Sequence, residues 1–447
     1  MSEVGGRRPW LRALLWLALL GPLFFLSYGY ANSVAAQRVG VPSIVFGWER
    51  AIPFWAWTIV PYWSIDLFYG ISLFVCRDRR ELDNQALRLL TAQAIAIACF
   101  LAFPLTFSFV RPPTDGAFGW MFDVLLGFDK PFNQAPSLHI VLLIVLWVRF
   151  AQHLGGVWRW LLHLWFGLIG VSVLTTYQHH FVDVPTGLLA GWLCVWLWPE
   201  GVRSPWRAAA WARDPARWRL AAWYLAGAAL CMALAWALRG AAWWLLWPAT
   251  SLLLVALNYA LLGADGFQKR ADGRLSAAAR WLYAPYLWGA WINSRLWTRR
   301  APQPVEVADG VWLGRMPGRA EAARYAAAVD VCAELSAPPA LRLAAVRPML
   351  DLVAPEPQAL RAVARDIETA RAAGAVLVCC ALGYSRSAAA AAAWLLDSGR
   401  ADTVEAAIAR VRAARPAVVL GEAHRRALED AYAAAITPTA SLGAPAL

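Results

Sequence analysis

The sequence predicts a two-part fold, an all-α bundle of membrane helices followed by a soluble α/β domain with a cysteine-based site. Apolar residues make up 60% of the 447 residues, and they fall in runs long enough to cross a bilayer, which takes about 20 residues per helix. These runs end near residue 262. From Val305 onward, strand-like and helix-like segments alternate, which is typical of a mostly parallel sheet. A chain of this length is expected to hold two or three domains.

Eight membrane spans are predicted, at residues 9–30, 53–76, 88–109, 138–152, 159–176, 183–199, 220–238 and 241–262. Arginines are concentrated in alternate loops, so the positive-inside rule predicts a cytoplasmic amino terminus. With eight spans the carboxy-terminal domain is cytoplasmic too, and we expect a multi-pass protein of a bacterial inner membrane. The net charge of +12 indicates this topology and attraction to anionic lipids, and we expect no nucleic acid partner.

The composition divides the chain into five segments. A membrane domain at 1–200, with its core at about 45–200, is followed by two further transmembrane helices at 201–263. A basic, aromatic linker at 264–303 leads into the α/β domain at 304–437, and a flexible tail is expected at 438–447. Within the linker, residues 277–297 are predicted to form a helix lying in the membrane interface, and a ninth span is the alternative.

A thiol and a guanidinium frame a turn of the predicted α/β domain, Cys380-Ala-Leu-Gly-Tyr-Ser-Arg386, here called the thiol loop. The apolar segment 374–379 before it reads as a buried strand, and a helix-forming alanine run begins at Ser387. Backbone N–H groups and the helix dipole at such a turn favour an oxyanion and a thiolate. Arg386 can bind two phosphate oxygens. The pattern predicts phosphate-ester hydrolysis through a phosphocysteine, and the alternative is a buried structural cysteine with a helix-capping arginine.

The C-x5-R-S spacing of the thiol loop resembles the signature loop of the protein-tyrosine and dual-specificity phosphatases. The resemblance implies that Cys380 is the nucleophile and that Gly383 and Ser385 help Arg386 to bind phosphate. It further implies that Asp351 is the general acid and that Ser387 stabilises the leaving thiolate.

The thiol loop departs from this family in two places. Cys379 stands where the family usually has a His, and the loop lacks the Lys residues that suit polyphosphoinositides. We therefore expect a phosphomonoester lipid or a phosphorylated protein as substrate.

Polar residues of the membrane half form a second candidate site. His179 and Asp183 are four residues apart, hence on one helix face, so the carboxylate can hold one imidazole nitrogen and leave the other as nucleophile. His139, from another segment on the same predicted outer face, can protonate a leaving alkoxide. Arg111, at the outer end of the third span, is expected to bind phosphate. His180 is the alternative reactive imidazole.

This second pattern resembles the type 2 phosphatidic acid phosphatase superfamily, through Arg111-Pro112, Pro136-Ser137-Leu138-His139 and the His179/Asp183 pair. The resemblance implies a phosphohistidine at His179. Pro104 and Val173 stand where the family hydrolases have Lys and Arg. The segment 175–179 looks closer to the inositol phosphorylceramide and sphingomyelin synthase branch, which transfers a phospho-headgroup between lipids.

No C-x2-C pair or His/Cys cluster in the sequence indicates a zinc site, and no cofactor is expected. The expected partners are membrane lipids and a phosphorylated lipid or protein substrate, and the oligomeric state is left open. The two resemblances together predict a bifunctional membrane phosphatase. The alternative is a membrane-anchored signalling phosphatase whose membrane half only binds lipid or a partner.

Overall fold

The computed structural model describes residues 8–127 and 129–436, so the predicted tail at 438–447 lies outside the described residues. The chain forms two units. One comprises residues 1–200 and 235–244, and the other comprises residues 201–234 and 245–447. The linker and most of the last two apolar helices therefore cluster with the α/β domain.

The first unit is helical. Its helices are α1 Trp10–Ala36, α2 Ile59–Phe74, α3 Arg79–Ala102, α4 Gly116–Leu126, α5 Leu138–His153, α6 Gly156–Thr175 and α7 Asp183–Leu197. Helices α5 and α7 approach closely because α7 carries two glycines at the contact. A Cβ atom on Gly187 or Gly191 would lie 2.7 or 2.8 Å from the Cβ of Ile140 or Ile144, respectively.

The third predicted span, at 88–109, is wrong at both ends. Helix α3 begins at Arg79 because the Asp78 side chain accepts a hydrogen bond from the Glu81 N–H and caps the helix. It ends at Ala102, and Pro104 lacks the N–H that a continuing helix would need. The segment from Phe103 to Val110 is non-helical.

Among the described residues, five helical segments are long and apolar enough to cross a membrane. They are Trp10–Ala36, Arg79–Ala102, Gly156–Thr175, Pro215–Leu238 and Gly240–Phe267. The predicted spans at 53–76, 138–152 and 183–199 fall in the shorter helices α2, α5 and α7.

The second unit begins with four helices. They are α8 Pro215–Leu238, whose residues from Ala235 belong to the first unit, α9 Leu246–Leu257, α10 Ala277–Leu282 and α11 Ala284–Trp297. Helix α9 continues as a π-helical turn, Asn258–Leu262. The linker thus contains two short helices, of 6 and 14 residues, and neither has the length of a ninth span.

The α/β domain has five strands and five helices. They are β1 Val305–Ala308, β2 Val311–Arg315, α12 Arg319–Ala322, β3 Ala327–Cys332, β4 Leu343–Met349, α13 Pro357–Arg371, β5 Val376–Cys380, α14 Arg386–Asp397, α15 Val404–Ala414 and α16 Glu422–Ile436. The strand order is β1-β2-β5-β3-β4, with β1 antiparallel and the others parallel. The predicted mostly parallel sheet is confirmed. The helix after β2 is short, since α12 ends at Ala322 and β3 starts at Ala327.

Strand β5 lies at the centre of this sheet and is fully buried. Its last residue is Cys380, so the thiol loop leaves the carboxyl edge of the central strand. In parallel α/β sheets this edge is where ligands bind.

Candidate active site

The thiol loop curls around the sulfur of Cys380. The Gly383 N–H donates to Cys380 Sγ at 3.2 Å, and Ser387 Oγ lies 3.2 Å from the same sulfur. Gly383 has φ +77°, and a Cβ there would lie 2.5 Å from the Gly314 carbonyl carbon, so the turn requires glycine. Helix α14 begins at Arg386, one residue earlier than predicted, which places the Ser387 hydroxyl beside the thiol.

The side chain of Arg386 is held in place by Glu334. Its guanidinium donates to both carboxylate oxygens of Glu334, at 2.6 and 2.7 Å, and to the Met349 carbonyl at 3.0 Å. Arg386 is fully buried and Glu334 is 3% exposed. Burial alone would raise the pKa of Glu334, but the guanidinium outweighs it and holds that pKa below its usual value. The Arg386 guanidinium is therefore a permanent positive charge whose orientation is fixed by its hydrogen bonds to Glu334 and Met349.

The sequence motifs give no indication of Glu334. It follows β3, the neighbour of β5 in the sheet. The carboxyl ends of parallel strands meet at one edge, and an acidic residue just after a buried strand was the signal that could have found it.

Asp351 reaches the same guanidinium, with Asp351 Oδ1 3.1 Å from Arg386 Nη2. It lies in residues 350–356 between β4 and α13, here called the acid loop. Burial raises the pKa of Asp351, and the charge of Glu334 adds to this against the opposing pull of Arg386. A raised pKa favours the protonated acid, which a proton donor needs. The structure thus pairs Cys380 with Ser387 and Arg386 with Asp351, and the catalytic roles of these residues stay predictions.

Ser385 has a contact that the sequence did not indicate. The hydroxyl of this predicted phosphate-binding residue lies 2.8 Å from Nε2 of His424, which is on α16. The Ser385 side chain is therefore engaged by His424. Its phosphate contact stays a prediction. Cys379, the neighbour of the nucleophile, is fully buried, and burial raises the pKa of its thiol well above the usual value.

The predicted histidine cluster of the first unit also comes together. His179 Nδ1 lies 3.2 Å from Asp183 Oδ2, with both side chains buried. The ring centroids of His139 and His179 are 6.4 Å apart, and His139 stacks on Tyr62 at 3.9 Å. Among the described residues, no group of three or more His, Cys, Asp or Glu side chains is placed to hold a metal ion.

His180 is engaged at both ring nitrogens. Its Nδ1 lies 2.9 Å from Glu49 Oε2, and its Nε2 accepts the Ser108 N–H at 3.1 Å with Ser108 Oγ 3.0 Å away. An imidazole held in this way is not free to attack phosphorus. In the described part of the chain, Nε2 of His179 has no such partner, which favours His179 over His180.

Arg111 lies apart from these histidines. Its guanidinium sits over the Phe122 ring, 4.4 Å from the centroid. In the part of the chain that the structure describes, no hydrogen bond or ion pair joins it to His139 or His179. The predicted phosphate contact of Arg111 therefore stays a prediction.

Comparison with known proteins concerns the second unit. The family model of the dual specificity phosphatase catalytic domain matches residues 344–433. No curated protein matches the chain significantly.

Three solved structures resemble this part of the chain. Human DUSP28 is 26% identical, over 30% of this chain and 95% of that chain, with a TM-score of 0.27. A mouse putative dual specificity phosphatase complexed with zinc tungstate is 26% identical, over 31% and 94%, with a TM-score of 0.27. Tk-PTP in its active form is 26% identical, over 29% and 97%, with a TM-score of 0.27. By the family match and the geometry above, the carboxy-terminal α/β domain is a dual-specificity phosphatase domain.

Proposed function

We propose that this chain hydrolyses phosphate monoesters at Cys380 through a phosphocysteine intermediate. One observation carries the proposal. The Gly383 N–H and the Ser387 hydroxyl contact the Cys380 sulfur at the carboxyl end of the central strand, and the buried Arg386, which ends the same loop, is oriented by Glu334. A nucleophile beside phosphate-binding donors is the arrangement that covalent phosphoryl transfer needs.

In the first step, Arg386 and the loop amides bind the phosphate oxygens, and the Cys380 thiolate attacks phosphorus. The ester P–O bond breaks as the P–S bond forms. Asp351 gives its proton to the departing oxygen, so the product leaves as an alcohol. Its raised pKa keeps that proton available.

In the second step, water attacks the phosphorus of phosphocysteine. The Asp351 carboxylate takes a proton from the water, the P–S bond breaks, and inorganic phosphate is released. The Ser387 hydroxyl, 3.2 Å from the sulfur, donates to the leaving thiolate. The enzyme returns to its starting state.

Aryl phosphate hydrolysis by the full-length protein tests this proposal. Cys380→Ser should abolish the activity, and Arg386→Ala should lower kcat/KM by about 10- to 150-fold, the effect of losing charged hydrogen bonds of about 1.5–3 kcal/mol. Glu405→Gln, at an exposed position of α15, is the control and should retain it. Full activity in Cys380→Ser would place the reaction elsewhere.

We propose a second function for the first unit, lipid phosphoryl or headgroup transfer through a phosphohistidine. It is supported by the His179–Asp183 contact and by the nearby His139 ring. His179 Nε2 attacks the phosphorus of a lipid, and His139 protonates the leaving alkoxide. The oxygen of water or of a lipid hydroxyl then attacks the phosphohistidine, His139 takes the proton of that hydroxyl, and the P–N bond to His179 breaks.

A Cys380→Ser background isolates this second reaction. With the full-length protein in vesicles that contain phosphatidic acid, we expect phosphate release or headgroup exchange that is lost in His179→Ala. His180→Ala should lose less of this activity, because His180 hydrogen-bonds to Glu49 and Ser108 and is not the proposed nucleophile. Undiminished activity in His179→Ala would leave the first unit as a lipid- or partner-binding module.

We also propose that the chain is an integral membrane protein with its phosphatase domain in the cytosol. The five long apolar helices support insertion, and a reactive thiol needs a reducing compartment. The protein should stay in the membrane pellet after alkaline carbonate extraction. Release into the supernatant would contradict insertion.

A further inference from the structure

We propose that the phosphatase site takes its phosphate from a lipid phosphomonoester in the adjoining leaflet. The inference rests on the proposed phosphocysteine chemistry and names the substrate class of that same site. It is carried by the apolar side chains at the edge of the site and by the helices that hold the catalytic loops.

In the described part of the phosphatase domain, the exposed large apolar side chains lie beside the thiol loop and the acid loop. In the described part of the domain, the exposed large apolar residues are Leu352, at 65%, and Val419, at 63%. Leu352 directly follows the general acid, and the Val419 N–H donates to the Tyr384 carbonyl of the thiol loop at 2.7 Å. These two residues are here called the rim. An apolar rim around a phosphate site fits a substrate whose phosphate is joined to a hydrocarbon body.

The backbone at the rim is strained where it presents Leu352. This residue has φ +59°, a conformation that non-glycine residues rarely adopt, and it holds a large apolar side chain outward. Such strain is retained where the surrounding structure enforces it, and it clusters at ligand-binding positions. A contact between Leu352 and an acyl chain gives this conformation a function.

Helix α11 continues the apolar surface from the thiol loop. Ser294 Oγ donates to the Ala381 carbonyl at 2.6 Å, and the Tyr384 hydroxyl donates to the Trp297 carbonyl at 3.3 Å. Trp297 is 70% exposed, and four further large apolar residues of α11 are exposed, namely Trp288, Trp291, Ile292 and Leu296. Tryptophans on a short helix are typical of the membrane–water interface.

Helix α9 holds the acid loop in the same way. The Tyr259 hydroxyl donates to the Asp351 carbonyl at 3.0 Å. Tyr259 lies in the π-helical turn near the end of the apolar segment Gly240–Phe267, which is long enough to span a membrane. Lipid phosphates lie at the ends of such spans, so the general acid is one hydrogen bond from a helix that ends at headgroup depth.

The charge of the site fits a single phosphate. Residues 381–385 contain no Lys, Arg or His, so Arg386 is the one cation that the C-x5-R sequence itself brings. A lipid phosphomonoester brings one phosphate and an apolar body, which matches a loop of low charge and an apolar rim. A phosphorylated peptide brings polar flanking groups, for which this rim offers no hydrogen-bonding side chains.

The substrate class is tested with the full-length His179→Ala protein, which removes the proposed second activity. The probes are phosphatidylcholine vesicles with phosphatidic acid, a soluble phosphotyrosine peptide and an aryl phosphate. We expect phosphate release from the vesicles that depends on Cys380, with kcat/KM about tenfold or more above that for the peptide. Cys380-dependent aryl phosphate hydrolysis with the peptide preferred would overturn the lipid proposal and leave the proposed function standing. Absence of any Cys380-dependent hydrolysis would overturn both.

A charge placed on the rim tests the apolar contact itself. Val419→Glu should lower the ratio of lipid to aryl phosphate kcat/KM by about tenfold or more, because a carboxylate is costly against acyl chains. Ala409→Glu adds the same charge at an exposed position of α15 and should leave the ratio unchanged. An unchanged ratio in Val419→Glu would overturn the rim as a lipid contact.

Discussion

Glu334→Gln tests how the buried guanidinium is held. The carboxylate of Glu334 accepts two hydrogen bonds from the Arg386 guanidinium, at 2.6 and 2.7 Å. The same guanidinium also contacts the Met349 carbonyl and the Asp351 carboxylate. Glutamine keeps the size of the side chain but loses the charge. Its NH2 group also faces a guanidinium nitrogen, where donor meets donor. The guanidinium therefore loses one of its two hydrogen bonds to residue 334 and is held less firmly in its orientation.

The expected loss follows from the strength of that bond. A hydrogen bond between charged groups contributes about 1.5–3 kcal/mol, and each 1.36 kcal/mol is about tenfold in rate. If the bond serves to orient Arg386 in the transition state, kcat/KM for an aryl phosphate falls by about 10- to 150-fold. Breaking a buried ion pair also lowers the free energy of unfolding, by about 3–5 kcal/mol, so kinetics are measured well below the melting temperature of the variant.

The pH profile gives a second readout that a merely structural role would not produce. The charge of Glu334 raises the pKa of Asp351, in addition to burial, while Arg386 lowers it. Removing the negative charge therefore lowers the pKa of Asp351. The basic limb of kcat/KM, where the general acid loses its proton, should move to lower pH. Glu405→Gln, an exposed control, should change neither quantity. Activity within about threefold of wild type and an unmoved basic limb would refute this account of Glu334.

Three further predictions follow from single contacts. Gly383→Ala should abolish hydrolysis, because φ +77° and the approach of Gly314 leave no room for a Cβ; substantial activity in that variant would contradict the loop geometry. Asp351→Asn should slow alkyl phosphate cleavage by about 100- to 10,000-fold and aryl phosphate cleavage much less, and equal losses would indicate a structural Asp. Lys269→Met should lower the free energy of unfolding by about 3–5 kcal/mol in denaturant titrations, because Lys269 Nζ lies 2.6 Å from the buried Asp330 carboxylate. An unchanged midpoint would show that this pair does not anchor the linker to the sheet.

The sequence predicts the parts of the site that depend on local patterns. Cys380, Arg386 and Ser387 lie within one strand–turn–helix unit, so their mutual positions follow from the spacing alone. The role of Asp351 is implied by the resemblance of the thiol loop to the phosphatase signature. In the first unit, the four-residue spacing of His179 and Asp183 likewise predicts their contact.

The contacts that the sequence did not indicate join distant segments. Glu334 contacts Arg386 because β3, which precedes Glu334, lies next to β5 in the sheet. His424 contacts Ser385 because α16 packs near the thiol loop. Tyr259 lies in an apolar run, where one hydroxyl gives no signal of a partner in the acid loop. The non-helical segment after Ala102 was missed because its residues are as apolar as those of a helix, and the break depends on Pro104.

Identification of the covalent intermediate tests the central claim most directly. Ser387→Ala should slow the second step, because the leaving thiolate loses the hydroxyl 3.2 Å from its sulfur, so the intermediate should accumulate. The full-length variant is mixed with an aryl phosphate, quenched rapidly in acid, digested and analysed by peptide mass spectrometry. We predict one added phosphoryl group on the peptide that contains Cys380, and none when Cys380 is also changed to Ser. Turnover without any phosphoryl group on Cys380, or with the group on another residue, would contradict the account.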